Sequence, residues 1–125
     1  MLKILIVDDE PNILLSLEFL MQKNGFEVLI ARNGKEALAA IEREMPQIVI
    51  LDIMMPDLDG YAICKFIRNE SKIQEAKVIF LTAKTRASDI ERGYEVGADL
   101  YVNKPFSTRK LLEDVKAMAA SINQK

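Results

Sequence analysis

The sequence predicts a single α/β domain in which helices cover both faces of a five-stranded parallel sheet. Five short runs of apolar, mostly β-branched residues recur along the 125 residues. An amphipathic segment with helical spacing follows each of these runs. Strands that are apolar throughout need helices on both faces of their sheet, which is typical of doubly wound βα units.

The first three strands are separated by two helices with clear boundary signals. These strands are the apolar runs Ile4–Val7, Val28–Ala31 and Ile48–Leu51. Pro11 suits the first turn of the first helix, Asp9 could cap it, and Gly25 marks its end. Asn33 and Glu36 have the spacing of a capping box, which predicts that the second helix begins there.

The second half of the chain continues the alternation of strands and helices. Its strands are Val78–Leu81 and Leu100–Val102, and its helices are predicted over Tyr61–Arg68, from Ser88 to near Gly97, and from Ser107 to about Ile122. Ser88 and Glu91 match a second capping box, and Ser107 suits the cap of the last helix. Since no sixth strand is available, the pattern favours the five-stranded order 2-1-3-4-5.

Composition excludes several classes of function. The net charge is −2, so neither nucleic acid nor an anionic membrane is expected as a partner. The chain has no apolar run long enough for a membrane span, and charged residues such as Lys3 interrupt the N-terminus, which predicts a cytoplasmic protein without an export signal. A single cysteine, Cys64, and the absence of histidine exclude a disulfide framework, a zinc cluster and a Ser-His-Asp triad.

Polar residues follow four of the predicted strands. Asp8 and Asp9 come after strand 1, Asp52 after strand 3, Thr82 after strand 4, and Lys104 shortly after strand 5. Taken singly, each has an ordinary interpretation as a helix cap, a β-branched strand residue or a solvated lysine. Because the carboxyl ends of parallel strands share one edge of the sheet, the five residues together predict a functional site there.

This combination of groups is suited to phosphoryl transfer. Three carboxylates at one edge repel one another, and a hard divalent cation with oxygen ligands, such as Mg²⁺, would relieve the repulsion. A carboxylate can attack phosphorus to give an acyl phosphate. A metal ion and a lysine can neutralise the charge on the phosphoryl oxygens.

The motifs at this edge resemble those of the receiver domains of two-component response regulators. The matching segments are Asp8-Asp9, Asp52 to Pro56 with Asp59-Gly60, Leu81 to Ala83, Gly97 to Asp99, and Lys104 to Phe106. The resemblance extends over essentially the whole chain, so residues 1–125 are expected to form one receiver domain. It implies the flavodoxin-like fold, with the strand order already inferred from the pattern.

The resemblance also implies how the acids are used. Asp52 would accept a phosphoryl group from a sensor histidine kinase or a histidine phosphotransfer protein. Asp9 and Asp52 would bind Mg²⁺, Asp8 would contact the metal through water, and the backbone carbonyl of Met54 would complete the shell. The Lys104–Pro105 peptide bond is expected to be cis.

The remaining site residues are implied to control signalling and its duration. Thr82 and Lys104 would each bind a phosphoryl oxygen, and Tyr101 would turn inward when Thr82 moves, which would change the surface of the fourth helix, fifth strand and fifth helix. Met54 and Lys84 flank the path of the water that would hydrolyse the acyl phosphate. Neither can act as a useful base, so we expect a long-lived phosphorylated form.

Two other classes of function stay open on the residues alone. A hydrolase with an aspartyl nucleophile usually carries a second acid two residues later, where this chain has Met54. A flavin or nucleotide carrier would need a phosphate-binding loop such as GxGxxG or GxxxxGK[ST], and the sequence contains neither. We therefore expect a switch that catalyses only its own phosphorylation and dephosphorylation, with a downstream protein target or a fused effector domain as its output.

Overall fold

The computed structural model describes residues 1–123 as five strands that alternate with five helices. The strands are β1 Lys3–Val7, β2 Glu27–Ala31, β3 Ile48–Leu51, β4 Lys77–Thr82 and β5 Leu100–Asn103. The helices are α1 Pro11–Lys23, α2 Gly34–Glu44, α3 Gly60–Asn69, α4 Ala87–Glu95 and α5 Thr108–Asn123. The strand order is β2-β1-β3-β4-β5, and each adjacent pair is parallel. The predicted flavodoxin-like fold is confirmed.

Alternate residues of each strand point to opposite faces of the sheet and build two apolar cores. One core joins Ile6, Ile50 and Leu81 to buried residues of α1 and α5. The other joins Val7 and Phe80, among others, to buried residues of α2 and α3. Because both faces are covered, the carboxyl edge of the sheet is the natural place for polar groups. None of the helices within residues 1–123 is both long and apolar enough to cross a membrane.

Cys64 is one of the buried residues of α3, as expected for a small packing side chain. Burial raises the pKa of its thiol to about 11, although the nearby charge of Arg68 opposes the shift. The thiol is therefore protonated at neutral pH, and its role is packing.

Two of the predicted helix caps are present. The Asn33 side chain accepts a hydrogen bond from the Glu36 N–H at 2.9 Å, and the Glu36 carboxylate accepts one from the Arg32 N–H at 3.0 Å. The Ser107 hydroxyl accepts a hydrogen bond from the Lys110 N–H at 3.1 Å. In both cases the partners lie three or four residues apart, so the sequence pattern was sufficient to find them.

Two other cap predictions are wrong. Helix α4 begins at Ala87 after the extended residue Arg86, so Ser88 lies inside the first turn and does not cap it. Asp9 does not cap α1 either, because the residue before the helix is Glu10, which makes no side-chain cap bond. Asp8, one residue earlier than expected, accepts a hydrogen bond from the Glu10 N–H at 2.9 Å.

The loop between β3 and α3 is fixed at its end by a close backbone contact. Gly60 N–H donates to the Ile53 carbonyl at 3.0 Å, and a Cβ added at Gly60 would lie 2.6 Å from the Asp52 carbonyl oxygen. The Asp59 carboxylate then caps α3 by accepting a hydrogen bond from the Ala62 N–H at 2.9 Å. Any side chain at residue 60 would push the loop away from Asp52, the residue that follows β3.

A second attachment joins this loop to α2. The Asp57 carboxylate accepts hydrogen bonds from the backbone N–H groups of Gly34 and Lys35, each at 2.9 Å. These two bonds lower the pKa of Asp57. Asp57 therefore occupies the start of α2, where the helix dipole favours a negative charge.

We expect Gly60→Ala to lower the free energy of unfolding by about 1–3 kcal/mol, the usual cost of overpacking. The added methyl group would meet two backbone atoms, the Asp52 oxygen and the Ile53 Cα at 2.9 Å, and neither can rotate away. Urea denaturation would measure the change. Lys65→Ala, on the exposed side of α3, is the control and should change stability by less than about 0.5 kcal/mol. Equal stability of the two variants would contradict this account.

Candidate phosphoacceptor site

The three acids that follow β1 and β3 come together at the carboxyl edge of the sheet. Asp8, Asp9 and Asp52 each present one carboxylate oxygen within 4.8 Å of the other two. Parallel pairing of β1 with β3 produces this arrangement. The pairing extends one residue beyond β3, because the Asp52 N–H donates to the Val7 carbonyl at 3.0 Å. Asp8 and Asp52 are buried, whereas Asp9 is exposed. The cluster could hold a metal ion, since three carboxylates form a hard oxygen donor set.

Lys104 provides the positive charge at this cluster. Its ammonium nitrogen lies 2.9 Å from Asp8 Oδ2, 2.9 Å from Glu10 Oε1 and 3.4 Å from Asp52 Oδ2. The Lys104 backbone N–H donates to the Thr82 carbonyl at 2.9 Å, so the end of β4 helps to set its position. The Lys104–Pro105 bond is cis, as the sequence led us to expect.

The pKa values of Asp8 and Lys104 both reflect burial and pairing. Burial raises the pKa of Asp8, and hydrogen bonds from Lys104 and the Glu10 N–H only partly oppose it. Burial disfavours the charged form of Lys104, but hydrogen bonds to Glu10 and Asp8 and the charge of Asp52 outweigh it, so the pKa of Lys104 is raised. Lys104 is therefore protonated at neutral pH. Lys104 pairs with two of the three clustered carboxylates and also with Glu10, which leaves a negative excess that would attract a metal cation.

Thr82 closes the site from the side of β4. In the β3–β4 register Leu51 pairs with Phe80, so Thr82 lies one residue beyond the level of Asp52. Its side chain is buried, and its hydroxyl accepts a hydrogen bond from the Lys84 N–H at 3.4 Å. The hydroxyl is thus attached to the segment that leads from β4 into α4.

Tyr101 adopts an inward position between β4 and α4. Its hydroxyl donates to the Lys84 carbonyl at 2.8 Å, and its ring packs edge-to-face on Phe80 with centroids 5.9 Å apart. Gly93 makes room for the ring, since a Cβ there would lie 2.7 Å from it. Burial, reinforced by the neighbouring Tyr61, raises the pKa of the Tyr101 phenol. Thr82 and Tyr101 therefore contact the same residue, one through the N–H of Lys84 and the other through its carbonyl.

Met54 and Lys84 both border an open cleft of 580 Å³ that Asp9 also lines. The Met54 side chain is solvent-accessible, with 54% of the residue exposed, and its N–H donates to Asp52 Oδ1 at 3.2 Å. The Lys84 ammonium lies 3.8 Å from Asp89 Oδ1. Both residues thus line the cleft beside Asp9, and the Lys84 ammonium lies toward α4; their effect on hydrolysis stays a prediction. A metal-binding role for the Met54 carbonyl stays a prediction.

Sequence reasoning missed three residues at this edge. Glu10 pairs with Lys104, and its position directly after the acid pair could have indicated this. Asp57 contacts the start of α2, and Tyr61 donates from its hydroxyl to the Asp89 carbonyl at 2.9 Å. The last two contacts join residues more than twenty positions apart, for which the local sequence pattern carries no signal.

Comparison with known proteins gives a consistent result. A family model for the response regulator receiver domain matches residues 4–116. The chain is 45% identical over 116 residues to the probable transcriptional regulator ycf27 of Pyropia yezoensis, covering 93% of this chain and 46% of that protein. It is 41% identical over 116 residues to the alkaline phosphatase synthesis transcriptional regulatory protein PhoP of Bacillus subtilis (strain 168), with 93% and 48% covered. The chain therefore spans about half the length of these relatives.

Solved structures agree with the sequence relatives. The BeF3-activated receiver domain of DrrB, a protein of Thermotoga maritima, matches with a TM-score of 0.88 at 38% identity, covering 96% of this chain and 98% of that one. None of these comparisons supports the alternative of an aspartyl-nucleophile phosphatase. Sequence, fold and the arrangement of acids around Lys104 lead to one conclusion: the chain belongs to the receiver domain family of two-component response regulators.

Proposed function

We propose that Asp52 accepts a phosphoryl group from a phosphohistidine of a sensor histidine kinase or histidine phosphotransfer protein. The observation that carries this proposal is the cluster of Asp8, Asp9 and Asp52, with the Lys104 ammonium 3.4 Å from Asp52. Because residues 1–125 contain no histidine, the donor histidine must lie outside them. We further propose that the relay operates in the cytoplasm.

In the proposed reaction the Asp52 carboxylate is the nucleophile. One of its oxygens attacks phosphorus, the new O–P bond forms as the donor N–P bond breaks, and the bonding electron pair stays with the donor imidazole. The Met54 N–H orients the carboxylate through its 3.2 Å contact with Oδ1. Lys104 and the Thr82 hydroxyl would bind phosphoryl oxygens, which lowers the energy of the charge that develops there.

The donor set fits Mg²⁺ as the metal. Asp8, Asp9 and Asp52 would hold it together with the Met54 carbonyl, since Mg²⁺ prefers a few carboxylates and spare positions for water. When bound, Mg²⁺ would supply positive charge to the phosphoryl oxygens in transfer and in hydrolysis. Receiver domains are generally not classical enzymes, and we propose that this one catalyses only its own phosphorylation and dephosphorylation.

The signal would leave through α4, β5 and α5. Thr82 contacts the Lys84 N–H, and Tyr101, which is already inward in this structure, contacts the Lys84 carbonyl. A movement of the Thr82 hydroxyl toward a phosphoryl group would therefore shift the Lys84 backbone that keeps Tyr101 inward. The receiver would pass this change to a downstream protein target or a fused effector domain. The names of the relatives, which are transcriptional regulators, favour an output in transcription.

Acetyl phosphate with Mg²⁺ should add one phosphoryl group to the wild-type chain. At neutral pH it should add none to the Asp52→Asn variant, because an amide oxygen is not a competent nucleophile. Intact-mass spectrometry measures the addition directly. Asp114→Asn is the matched control, since Asp114 belongs to α5 and pairs there with Lys110. Undiminished labelling of Asp52→Asn would overturn the assignment of the acceptor.

Thr82→Ala should still be phosphorylated, because the nucleophile and the acids remain, but it should lose most of its response. The hydroxyl is the group expected to carry the change from phosphate to Lys84 and Tyr101. The measurement is the phosphorylation-dependent change in hydrogen exchange of α4 and β5. Thr85→Ala, at an exposed threonine of the same segment, should respond like wild type. A full response in Thr82→Ala would show that coupling takes another path.

The phosphorylated form should be comparatively long-lived. Met54 offers only a thioether and Lys84 only donors, so neither can orient a water for attack on phosphorus. Introducing Met54→Asn with Lys84→Glu should shorten the lifetime about tenfold, which is about 1.4 kcal/mol of barrier. Dephosphorylation would be followed after removal of the donor at constant Mg²⁺, with the exposed substitution Lys116→Glu as control. An unchanged half-life in the double variant would refute the role of these two residues.

A further inference from the structure

We infer that Tyr61 is an additional positioning residue, which joins the loop after Asp52 to α4 through a contact of its own, beside those of Thr82 and Tyr101. The inference rests on the proposed function, because it concerns how phosphorylation of Asp52 reaches α4. It starts from a buried tyrosine whose hydroxyl and ring both contact α4.

One end of this connection is fixed to the backbone of the phosphoacceptor. Tyr61 directly follows Gly60, whose N–H donates to the Ile53 carbonyl at 3.0 Å. A Cβ on Gly60 would lie 2.6 Å from the Asp52 carbonyl oxygen, so no space separates the start of α3 from the end of β3. Because packed backbone segments do not deform gradually, a shift of the Asp52 backbone would move Tyr61 with it.

The other end of the connection lies on the first two turns of α4. Tyr61 is only 3% exposed, and its hydroxyl donates to the Asp89 carbonyl at 2.9 Å. The Arg92 guanidinium lies over the Tyr61 ring, 4.2 Å from its centroid, which is close enough for a cation–π interaction. The Asp89 carboxylate lies 3.8 Å from the Lys84 ammonium, so the residue held by Tyr61 also contacts the β4–α4 segment.

Tyr61 and Tyr101 hold this segment at two different points. Tyr101 donates to the Lys84 carbonyl before α4, whereas Tyr61 donates to the Asp89 carbonyl inside its first turn. Phe80 lies between the two rings, with edge-to-face centroid distances of 5.6 Å to Tyr61 and 5.9 Å to Tyr101. The start of α4 is thus attached to α3 and to β5 by two hydroxyl groups that have different carbonyl acceptors, Asp89 for Tyr61 and Lys84 for Tyr101.

A purely structural tyrosine would behave differently from a positioning residue. If Tyr61 only packs, losing its hydroxyl should loosen α4 by a similar amount with and without a phosphoryl group on Asp52. If it transmits a shift of the Asp52 loop, losing its hydroxyl should reduce the difference between the two states. The informative quantity is therefore the phosphorylation-dependent difference, not the stability of either state.

The experiment compares wild type, Tyr61→Phe and the control Tyr94→Phe. The control also removes a hydroxyl from α4. The Tyr94 hydroxyl accepts a hydrogen bond from the Tyr101 N–H at 3.1 Å, and within residues 1–123 it makes no hydrogen bond to the Asp52 loop. Each protein is treated with acetyl phosphate and Mg²⁺, the stoichiometry is read by intact mass, and hydrogen exchange over residues 87–95 is followed by mass spectrometry.

We expect all three proteins to be phosphorylated to the same extent. In Tyr61→Phe the phosphorylation-dependent change in hydrogen exchange over residues 87–95 should be at least threefold smaller than in wild type. In Tyr94→Phe it should be as large as in wild type. Without phosphorylation, amides in the first turn of α4 should exchange about three- to tenfold faster in Tyr61→Phe, as expected for the loss of one net hydrogen bond. Should Tyr61→Phe not fold, Arg92→Gln removes the cation from the same ring and should reduce the change in the same direction.

The possible failures can be told apart. The role of Tyr61 would be overturned if Tyr61→Phe kept the full phosphorylation-dependent change in hydrogen exchange, or if Tyr94→Phe lost as much of it. Either result would leave phosphorylation of Asp52 intact. If wild type is phosphorylated but shows no change in hydrogen exchange over residues 87–95, this inference is overturned and the proposed function is not. A wild-type chain that takes up no phosphoryl group would overturn the proposed function, and this inference with it.

Discussion

Repulsion among three carboxylates is the constraint around which this edge of the sheet is arranged. The parallel pairing of β1 with β3 brings Asp8, Asp9 and Asp52 within 4.8 Å, and burial raises the pKa of Asp8. When the pKa of a carboxyl group is higher in the folded state than in the unfolded state, the folded state is destabilised as the pH rises through the range between the two pKa values. Ionising Asp8 therefore costs stability, and the Lys104 ammonium, 2.9 Å from Asp8, offsets only part of that cost.

The same edge is connected to the rest of the molecule mainly through backbone contacts. The Asp52 N–H is bonded to β1, the Gly60 N–H to Ile53, and both polar backbone atoms of Lys84 to side-chain hydroxyls. Backbone groups cannot rotate away as an exposed side chain can, so a displacement at the site has few ways to be absorbed locally. This is why the short segment from Thr82 to α4 is well placed to respond to the site.

The fold and the acid cluster could be predicted because their signals are periodic or local. Five apolar runs determine a parallel sheet, and the topology of such a sheet places Asp8, Asp9 and Asp52 at one edge. The cap at Asn33 involves a partner three residues away, whereas the pattern at Ser88 failed because Arg86 already occupies the position before α4. Contacts such as that of Asp57 with Gly34, 23 residues apart, depend on how the loops pack and leave no pattern in the sequence.

The charge balance also suggests how the parts of the proposed site would work together. Without a metal ion, Lys104 is the counter-charge for buried Asp8 and Asp52, and Glu10 holds it from the solvent side at 2.9 Å. A divalent cation shared by the carboxylates would relieve their repulsion, so the lysine would no longer be needed for that purpose. Its ammonium group would then be available to a phosphoryl oxygen on Asp52 while it stays protonated, because the neighbouring acids raise its pKa. On the proposed function, binding of the metal and pairing of Lys104 with the phosphoryl group therefore favour one another.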